Sequence, residues 1–525
     1  MKSIKVVLAV LMALVLLVGM AGGGCAKKPP TDSLTVALST FETDTFLPWN
    51  GGVARQPYML LVYECLVYTD PKTEAQLPGL ATKWEMTPDG KVYTFHLRKG
   101  VQFQENWGEL TSADVKYSMD RMIDPKSTGS PAGNLRSMID KIEAPDAYTV
   151  VVTLKNPDIG YIGGYINDGN AAGIVVCKKY VETVGDTAAN AHPIGTGPYT
   201  LAETHQKAGP YKFTTVPGVE KHWRVVPEFK NITFLMIPEE ATRVAMLKTG
   251  EVDLAPISYD SLATIQASGL HVATIPKDYG PLIRFTGLVQ TDPARYKADN
   301  PWVKKEVRQA LNYAVDKESI AKNIFKGQAV PTGASMPLQL WLDIPAYPYD
   351  VAKAKQLLAT AGYPNGFSLT LKTFVSNPGA ELPAISEAVA MYWKAIGIDV
   401  KIVPSDWGTV RSELLGKKAN DYMFNQRGQP FVDPSAGLDL EYNDKANFCI
   451  FETQETLAKY TAIKNEVDSK KRDQLIKDFG LYVKDQATNV FLCFADEPYG
   501  ASSKVGTWPT IRMRPSNIDM ITHGK

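Results

Sequence analysis

The chain has 525 residues, 44% hydrophobic and 21% charged, with 56 basic against 56 acidic side chains. That balance excludes wholesale disorder and collagen-like repeats, and a chain this long is expected to divide into more than one core. Zero formal net charge leaves no basic excess of the kind nucleic-acid binders carry, so no nucleic-acid partner is expected.

At the start, Lys2 and Lys5 precede the uncharged apolar run 6–20. A spanning helix needs roughly 20 such residues, so this run reads as the core of a secretory signal over 1–24. Ala21-Gly22-Gly23-Gly24-Cys25 resembles the lipobox of bacterial lipoproteins, although Gly22 stands where Leu is usual. The resemblance implies lipidation of Cys25, with 25–32 as a solvated tether; ordinary secretory cleavage is the alternative.

Ser33-Leu34-Thr35-Val36-Ala37-Leu38 alternates as a first strand. Pro88-Asp89-Gly90 turns the chain between Trp84-Glu85-Met86 and the alternating Tyr93, Phe95 and Leu97, which predicts a hairpin. Thr111 or Ser112 caps a helix. A second hairpin turns at Pro145-Asp146 and runs on through Tyr148, Val150, Val152 and Leu154. Ile194-Gly195-Thr196-Gly197-Pro198-Tyr199 is a tight glycine turn entering a strand. A helix over 242–247 stops at Gly250, and a strand is predicted at 251–254. Beyond Pro281 longer helices alternate with strands. Val303, Val307, Leu311 and Ala314 share a helical face; Asp316 and Asp350 cap two further helices closed by Gly327 and Gly362. Pro364-Asn365-Gly366 turns into Phe367, Leu369 and Leu371, and a helix over 383–396 leads to a strand over 399–403. This alternation predicts a second domain with a mixed or partly parallel sheet.

No catalytic constellation emerges. The six histidines give no H-E-x-x-H or other short metal spacing. There is no G-x-S-x-G elbow and no phosphate-binding G-x-x-x-x-G-K-[ST] loop, and Gly195-Thr196-Gly197 fails as a dinucleotide fingerprint because position 200 is Thr. No metal, no cofactor and no enzymatic activity are therefore expected, although a paired-carboxylate hydrolase stays open. Cys65, Cys177, Cys449 and Cys493 lie far apart; spacing leaves open whether they pair or stay thiols.

Several segments, in order, resemble the family 5 extracellular solute-binding proteins of bacterial ABC importers. They are Leu66-Val67-Tyr68-Thr69-Asp70-Pro71, Leu77-Pro78-Gly79-Leu80-Ala81-Thr82-Lys83-Trp84-Glu85 and Pro88-Asp89-Gly90-Lys91-Val92-Tyr93-Thr94-Phe95-His96-Leu97-Arg98-Lys99-Gly100-Val101. Pro193-Ile194-Gly195-Thr196-Gly197-Pro198-Tyr199, Val307-Arg308-Gln309-Ala310-Leu311-Asn312-Tyr313-Ala314-Val315-Asp316 and Lys353-Ala354-Lys355-Gln356-Leu357-Leu358-Ala359-Thr360-Ala361-Gly362-Tyr363-Pro364 follow. The resemblance implies an α/β, two-lobed periplasmic-binding-protein-like fold (type II, cluster C). Lobe I would take 33–283, with an extra subdomain near 65–190, and the returning tail 489–525; lobe II would take 284–488. Two crossing strands would form the hinge. It further implies a monomeric, exported receptor anchored to the outer face of the cytoplasmic membrane. Such a receptor captures a di- or oligopeptide and hands it to a permease and ATPase complex. An oligosaccharide or other organic solute is the alternative.

The family also suggests site residues. Asp433, in Arg427-Gly428-Gln429-Pro430-Phe431-Val432-Asp433-Pro434, matches the position of the Asp that pairs with a peptide ammonium; the alternative is a turn-forming Asp before Pro. Arg427 offers a fork for a carboxylate. Trp407 matches a pocket Trp whose flat face suits a peptide or sugar, or else packs in lobe II. Tyr499 on the returning tail and Thr40, Phe41 and Glu42 after the first strand match ligand-contacting regions. Tyr161, Tyr165 and Asn167 are candidates for the wall. Two departures stand out. Gln104-Glu105-Asn106-Trp107-Gly108 replaces a His-Asp-Gly of many members, and 156–177 lacks the Arg of nickel-type members, which argues against a chelated-nickel ligand.

Overall fold

The computed structural model describes residues 32–525 apart from 53, 170, 204–206, 375–378, 429–432, 444, 445, 447, 513 and 514. The signal, Cys25 and the tether up to residue 31 lie outside the described residues. No helix among the described residues is long and apolar enough to cross a membrane.

One sheet runs through two halves of the molecule. In the first half Ser33–Leu38 lies parallel to Asn231–Met236 on one side and to Leu254–Pro256 on the other. Leu34 and Val36 point into the core, as the period-two pattern requires. Tyr211–Thr215 and Tyr199–Leu201 extend the sheet antiparallel. In the second half Ser368–Thr373 lies parallel to Asp399–Pro404, the helix Leu382–Lys394 making the crossover, and Met423–Gly428 lies on its other side.

Two strands join the halves. His271–Phe285 pairs with Cys493–Ala501 from His271↔Ala501 to Tyr279↔Ala495, then with Met423–Gly428 from Gly280↔Gly428 to Phe285↔Met423. Its N-terminal part thus belongs to one half and its C-terminal part to the other. Cys493–Ala501 returns the chain to the first half, where it pairs with Leu254–Pro256. A buried network holds the tail there: Arg224 bridges Glu64 at 2.9 Å and Asp519 at 2.5 Å, and Thr196 and the Trp223 indole donate to Glu64.

The two sequence hairpins are one unit. Ala81–Met86, Val92–Leu97, Thr149–Leu154 and Ile139–Asp146 form a four-stranded antiparallel sheet in that order. The helix Ser112–Ile123 starts with a capping box between Thr111 and Asp114. The glycine turn is needed for close approach, because a Cβ on Gly195 would sit 2.0 Å from the Val62 carbonyl oxygen and one on Gly197 2.5 Å from that of Leu61. Gln104, at a departure from the family pattern, fastens this turn by donating to the Gly197 and Tyr199 carbonyls.

The predicted caps form: Asp316 accepts from the Ser319 amide and Asp350 from the Lys353 amide. The strand expected at 251–254 instead runs Leu254–Pro256. The Glu251 and Val252 amides bond back to the Met246 carbonyl and finish the preceding helix, so they cannot join a ladder. All four cysteines among the described residues are buried free thiols.

Candidate functional site

In open α/β sheets ligands sit beyond the C-terminal ends of the parallel strands. Here those ends are Leu38, Met236 and Pro256 in one half and Thr373 and Pro404 in the other. The helix after Pro404 is Trp407–Leu415. Asp406 caps it by accepting from the Thr409 amide at 2.8 Å, which fixes Trp407 as its first residue. The half-buried indole has ring centroids 5.9 Å from Phe374 and 6.1 Å from Phe448.

Trp407 lines a cavity of about 180 Å³ together with Arg284, Met336, Leu414, Phe424, Gln426, Arg427, Leu440, Glu441 and Phe448. Strand register explains which side chains enter it. Arg284 pairs with Phe424 and Leu282 with Gln426, so Arg284, Phe424 and Gln426 share one sheet face. Arg427, one residue on, turns its side chain to the other face. Its guanidinium bonds Asp278 of the first crossing strand, lies 3.8 Å from Glu497 of the second, and stacks 4.8 Å from the Tyr279 ring. Both crossing strands therefore meet a side chain of the second half at one point.

This hinge is rich in buried acid. Burial pushes the Glu381 carboxyl up to about 7. Burial, then the neighbouring Asp278 charge, pushes Glu497 well above the usual carboxylate range, with Arg427 opposing. Tyr499, two residues beyond Glu497, is buried and meets Trp508 edge-on at 5.0 Å.

The sequence-derived residues divide into groups. Trp407 and Arg427 border one cavity, and Tyr499 shares a strand with a partner of Arg427. Thr40 and Glu42 are exposed past the end of the first strand, Glu42 accepting from the Ala54 amide. Phe41 is 1% exposed and stacks on Tyr211 at 4.4 Å. Asp433 is held by both Arg472 nitrogens at 2.7 and 3.1 Å, on the second half, facing Gly163 of the first. Tyr161, Tyr165 and Asn167 are buried, and Asn167 bonds the Gly163 carbonyl. Sequence reasoning missed Arg284, Gln426, Asp278, Glu381 and Glu441. Arg284 carried a signal, a lone charge inside Pro281-Leu282-Ile283-Arg284-Phe285. Among the described residues no group of three or more His, Cys, Asp or Glu side chains is placed to hold a metal.

Known proteins resemble this chain in sequence and in shape. A glutathione-binding protein GsiB of Pectobacterium atrosepticum is 30% identical over 64% of this chain and 62% of its own length. The dipeptide-binding protein of Escherichia coli K12 is 30% identical over 69% of each chain. The chain thus spans a little under two thirds of the glutathione-binding relative. Among solved structures, the ABC transporter-associated periplasmic binding protein DppA of Helicobacter pylori, in complex with the peptide STSA, aligns with a TM-score of 0.71 at 23% identity. That alignment covers 94% of this chain and 98% of that one. HbpA2 of Haemophilus parasuis aligns at 0.79 and 21% identity over 94% and 100%. These likenesses establish the two-lobed periplasmic-binding architecture. Residues 76–448 match the model of the bacterial extracellular solute-binding proteins, family 5 Middle, and the chain belongs to that family.

Proposed function

We propose that the chain is the solute receptor of an ABC importer, capturing a di- or oligopeptide between its lobes and releasing it intact to a permease and ATPase complex. The observation that carries this reading is the hinge, two strands shared by both halves, with the Trp407 cavity beside it on the second half. The hinge divides lobe I, 33–283 with 489–525, from lobe II, 284–488. A lobe-closing receptor needs two things: a surface that adapts to many side chains, and a joint that bends without breaking a core. An indole edged by Phe374 and Phe448 suits the first, and two strands shared by both halves suit the second. Peptides are favoured over oligosaccharides by the dipeptide- and glutathione-binding relatives. Trp407 leads the contacts, with Arg427, Tyr499, Thr40 and Glu42 around it and Phe41 contributing main chain. A solute ammonium reaching Asp433 has to share that carboxylate with Arg472.

The test is fluorescence titration of the protein lacking residues 1–31 with di- and tripeptides and with oligosaccharides. Saturable peptide binding, weakened about ten-fold or more by Trp407→Ala, is expected. Sugar binding in its place refutes the peptide, and mass spectrometry showing a cleaved ligand refutes the receptor. Anchoring through Cys25 is proposed separately: fatty-acid labelling of the full chain should vanish in Cys25→Ser.

A further inference from the structure

Besides the crossing strands, the two lobes touch along a second seam. On lobe I the Trp508 indole donates to the Ser516 carbonyl at 2.8 Å and the Asn517 side-chain amide to the Pro509 carbonyl at 2.7 Å, which ties the ends of a tail loop together. The loop carries Arg512. Its Nε donates to Glu74 of lobe I at 2.5 Å, and Nη2 also meets that carboxylate. Nη1 and Nη2 then reach lobe II, at the Pro337 carbonyl and at Gln339 Oε1, each 3.0 Å away. Lobe I thus supplies a whole ion pair, and lobe II accepts the donors it leaves over. A fork of this shape can do both at once, which a single ammonium cannot.

Close to Glu74 in the chain, Gln76 packs beside a face without side chains. A Cβ on Gly163, in the helix Tyr161–Tyr165, would lie 2.9 Å from the Asp433 Cβ of lobe II, while the nearest lobe I atom, Gln76 Nε2, is 3.5 Å away. A Cβ on Gly164 would meet the Ala436 Cβ at an ordinary 3.8 Å. The bare position at 163 is therefore what lets the lobes approach. On lobe II one helix, Ser469–Asp485, fastens both contact points. Its Arg472 holds Asp433, and its Ile476 carbonyl accepts from the Trp341 indole, two residues past Gln339. The two contacts must form and part together.

We propose that Arg512 is a clasp that fastens lobe I to lobe II across the bare face at Gly163 and holds the receptor closed before any solute arrives. A closed state favoured in advance puts one common factor on the apparent affinity for every solute, and parting the clasp becomes a step in uptake and release. This rests on the division into lobes and not on the solute being a peptide.

The test is a pulsed electron spin resonance distance between nitroxides at Lys72→Cys and Lys470→Cys, exposed positions near the seam on either lobe. The full chain carries Cys25→Ser, and its other four cysteines are buried thiols. Without solute the wild type should show mainly the short distance. Gln339→Ala removes one lobe II acceptor at an exposed side chain, and Arg512→Lys keeps a charge against Glu74 but loses the fork. Each should lower the closed-to-open ratio about ten-fold, the worth of one hydrogen bond to a charged donor. Gly163→Ala favours its own helix yet wedges the lobes apart, so the short distance should nearly vanish; Gly164→Ala should match the wild type.

A wild type that is open without solute, a ratio unmoved by either Gln339→Ala or Arg512→Lys, or a Gly163→Ala chain that closes as fully as Gly164→Ala overturns the clasp. Titrating the dipeptide Ala-Phe into the same samples separates the two readings. No binding, with the variants open as expected, strikes the peptide and leaves the clasp. Saturable binding, with the variants as closed as the wild type, strikes the clasp and leaves the receptor.

Discussion

Removing Arg472 and Asp433, singly and together, decides what the Asp433 carboxylate is for. Arg472 Nη1 and Nη2 donate to the two carboxylate oxygens at 3.1 and 2.7 Å, with side chains 7% and 15% exposed. Losing one partner of a desolvated ion pair costs about 3–5 kcal/mol, because the other charge stays behind without compensation. The residual exposure of Asp433 puts Arg472→Met at the lower end, about 3 kcal/mol. Asp158 sharpens the effect. It is buried on the facing half, and burial together with the Asp433 charge pushes its carboxyl up to about 6, with Arg472 opposing. Without Arg472 two acids face each other and no guanidinium stands between them. Asp433→Ala strands the guanidinium instead and costs a similar amount. The double variant removes both charges, so its loss should be smaller than the sum by about 2 kcal/mol. Urea denaturation at pH 7 reads these values. Peptide titration with free and N-acetylated forms reads the other role. With Arg472 occupying the carboxylate, N-acetylation should change affinity equally in the wild type and in Asp433→Ala. A penalty for N-acetylation that disappears only in Asp433→Ala, or additive stability losses in the cycle, would refute the argument that this acid serves Arg472.

Other outcomes follow from single sites. Gly195→Ala drives a Cβ into the Val62 carbonyl, where backbone cannot yield, and should cost about 3 kcal/mol or more. Gly133→Ala, in the helix Ala132–Met138 with open space around it, should be neutral or stabilising by about 0.5–1 kcal/mol; thermal melts of the two variants compare them. The folded-state value of Asp158, about 6, lies above its ordinary 3.8, so the folded state holds the proton more tightly. Its contribution is fully present below pH 4 and is lost as pH rises through 6. Asp158→Asn should therefore flatten the stability profile between pH 4 and 7 by at most about 3 kcal/mol, and an unchanged profile counts against the raised value.

Much of the scaffold was legible because it is local. Pro88-Asp89-Gly90 carries its own turn, with Gly90 at φ +69°, and Asp316 and Asp350 reach amides only three residues on. Motif order then supplied the two-lobed fold. The rest was not legible, for identifiable reasons. Nothing near Asp433 in the chain announces Arg472, 2.7 Å away in space but 39 residues along. Sequence alone leaves Arg427 either meeting a solute carboxylate or solvated at the surface, whereas in the fold its carboxylates come from Asp278 and Glu497, brought together only when the two crossing strands pair.

The sequence by itself determined where caps, tight turns and most of the expected strands fall, since steric limits and hydrogen bonds spanning a few residues decide those. The tertiary structure alone decided which charge meets which, and which side chains share the Trp407 cavity. A register of Arg284 against Phe424 sets the latter, and a one-residue slip would turn Arg284 and Gln426 away from it. Burial supplies the physical reason: in a water-poor interior each charge and donor is governed by its spatial neighbours, and distant segments of the chain provide them.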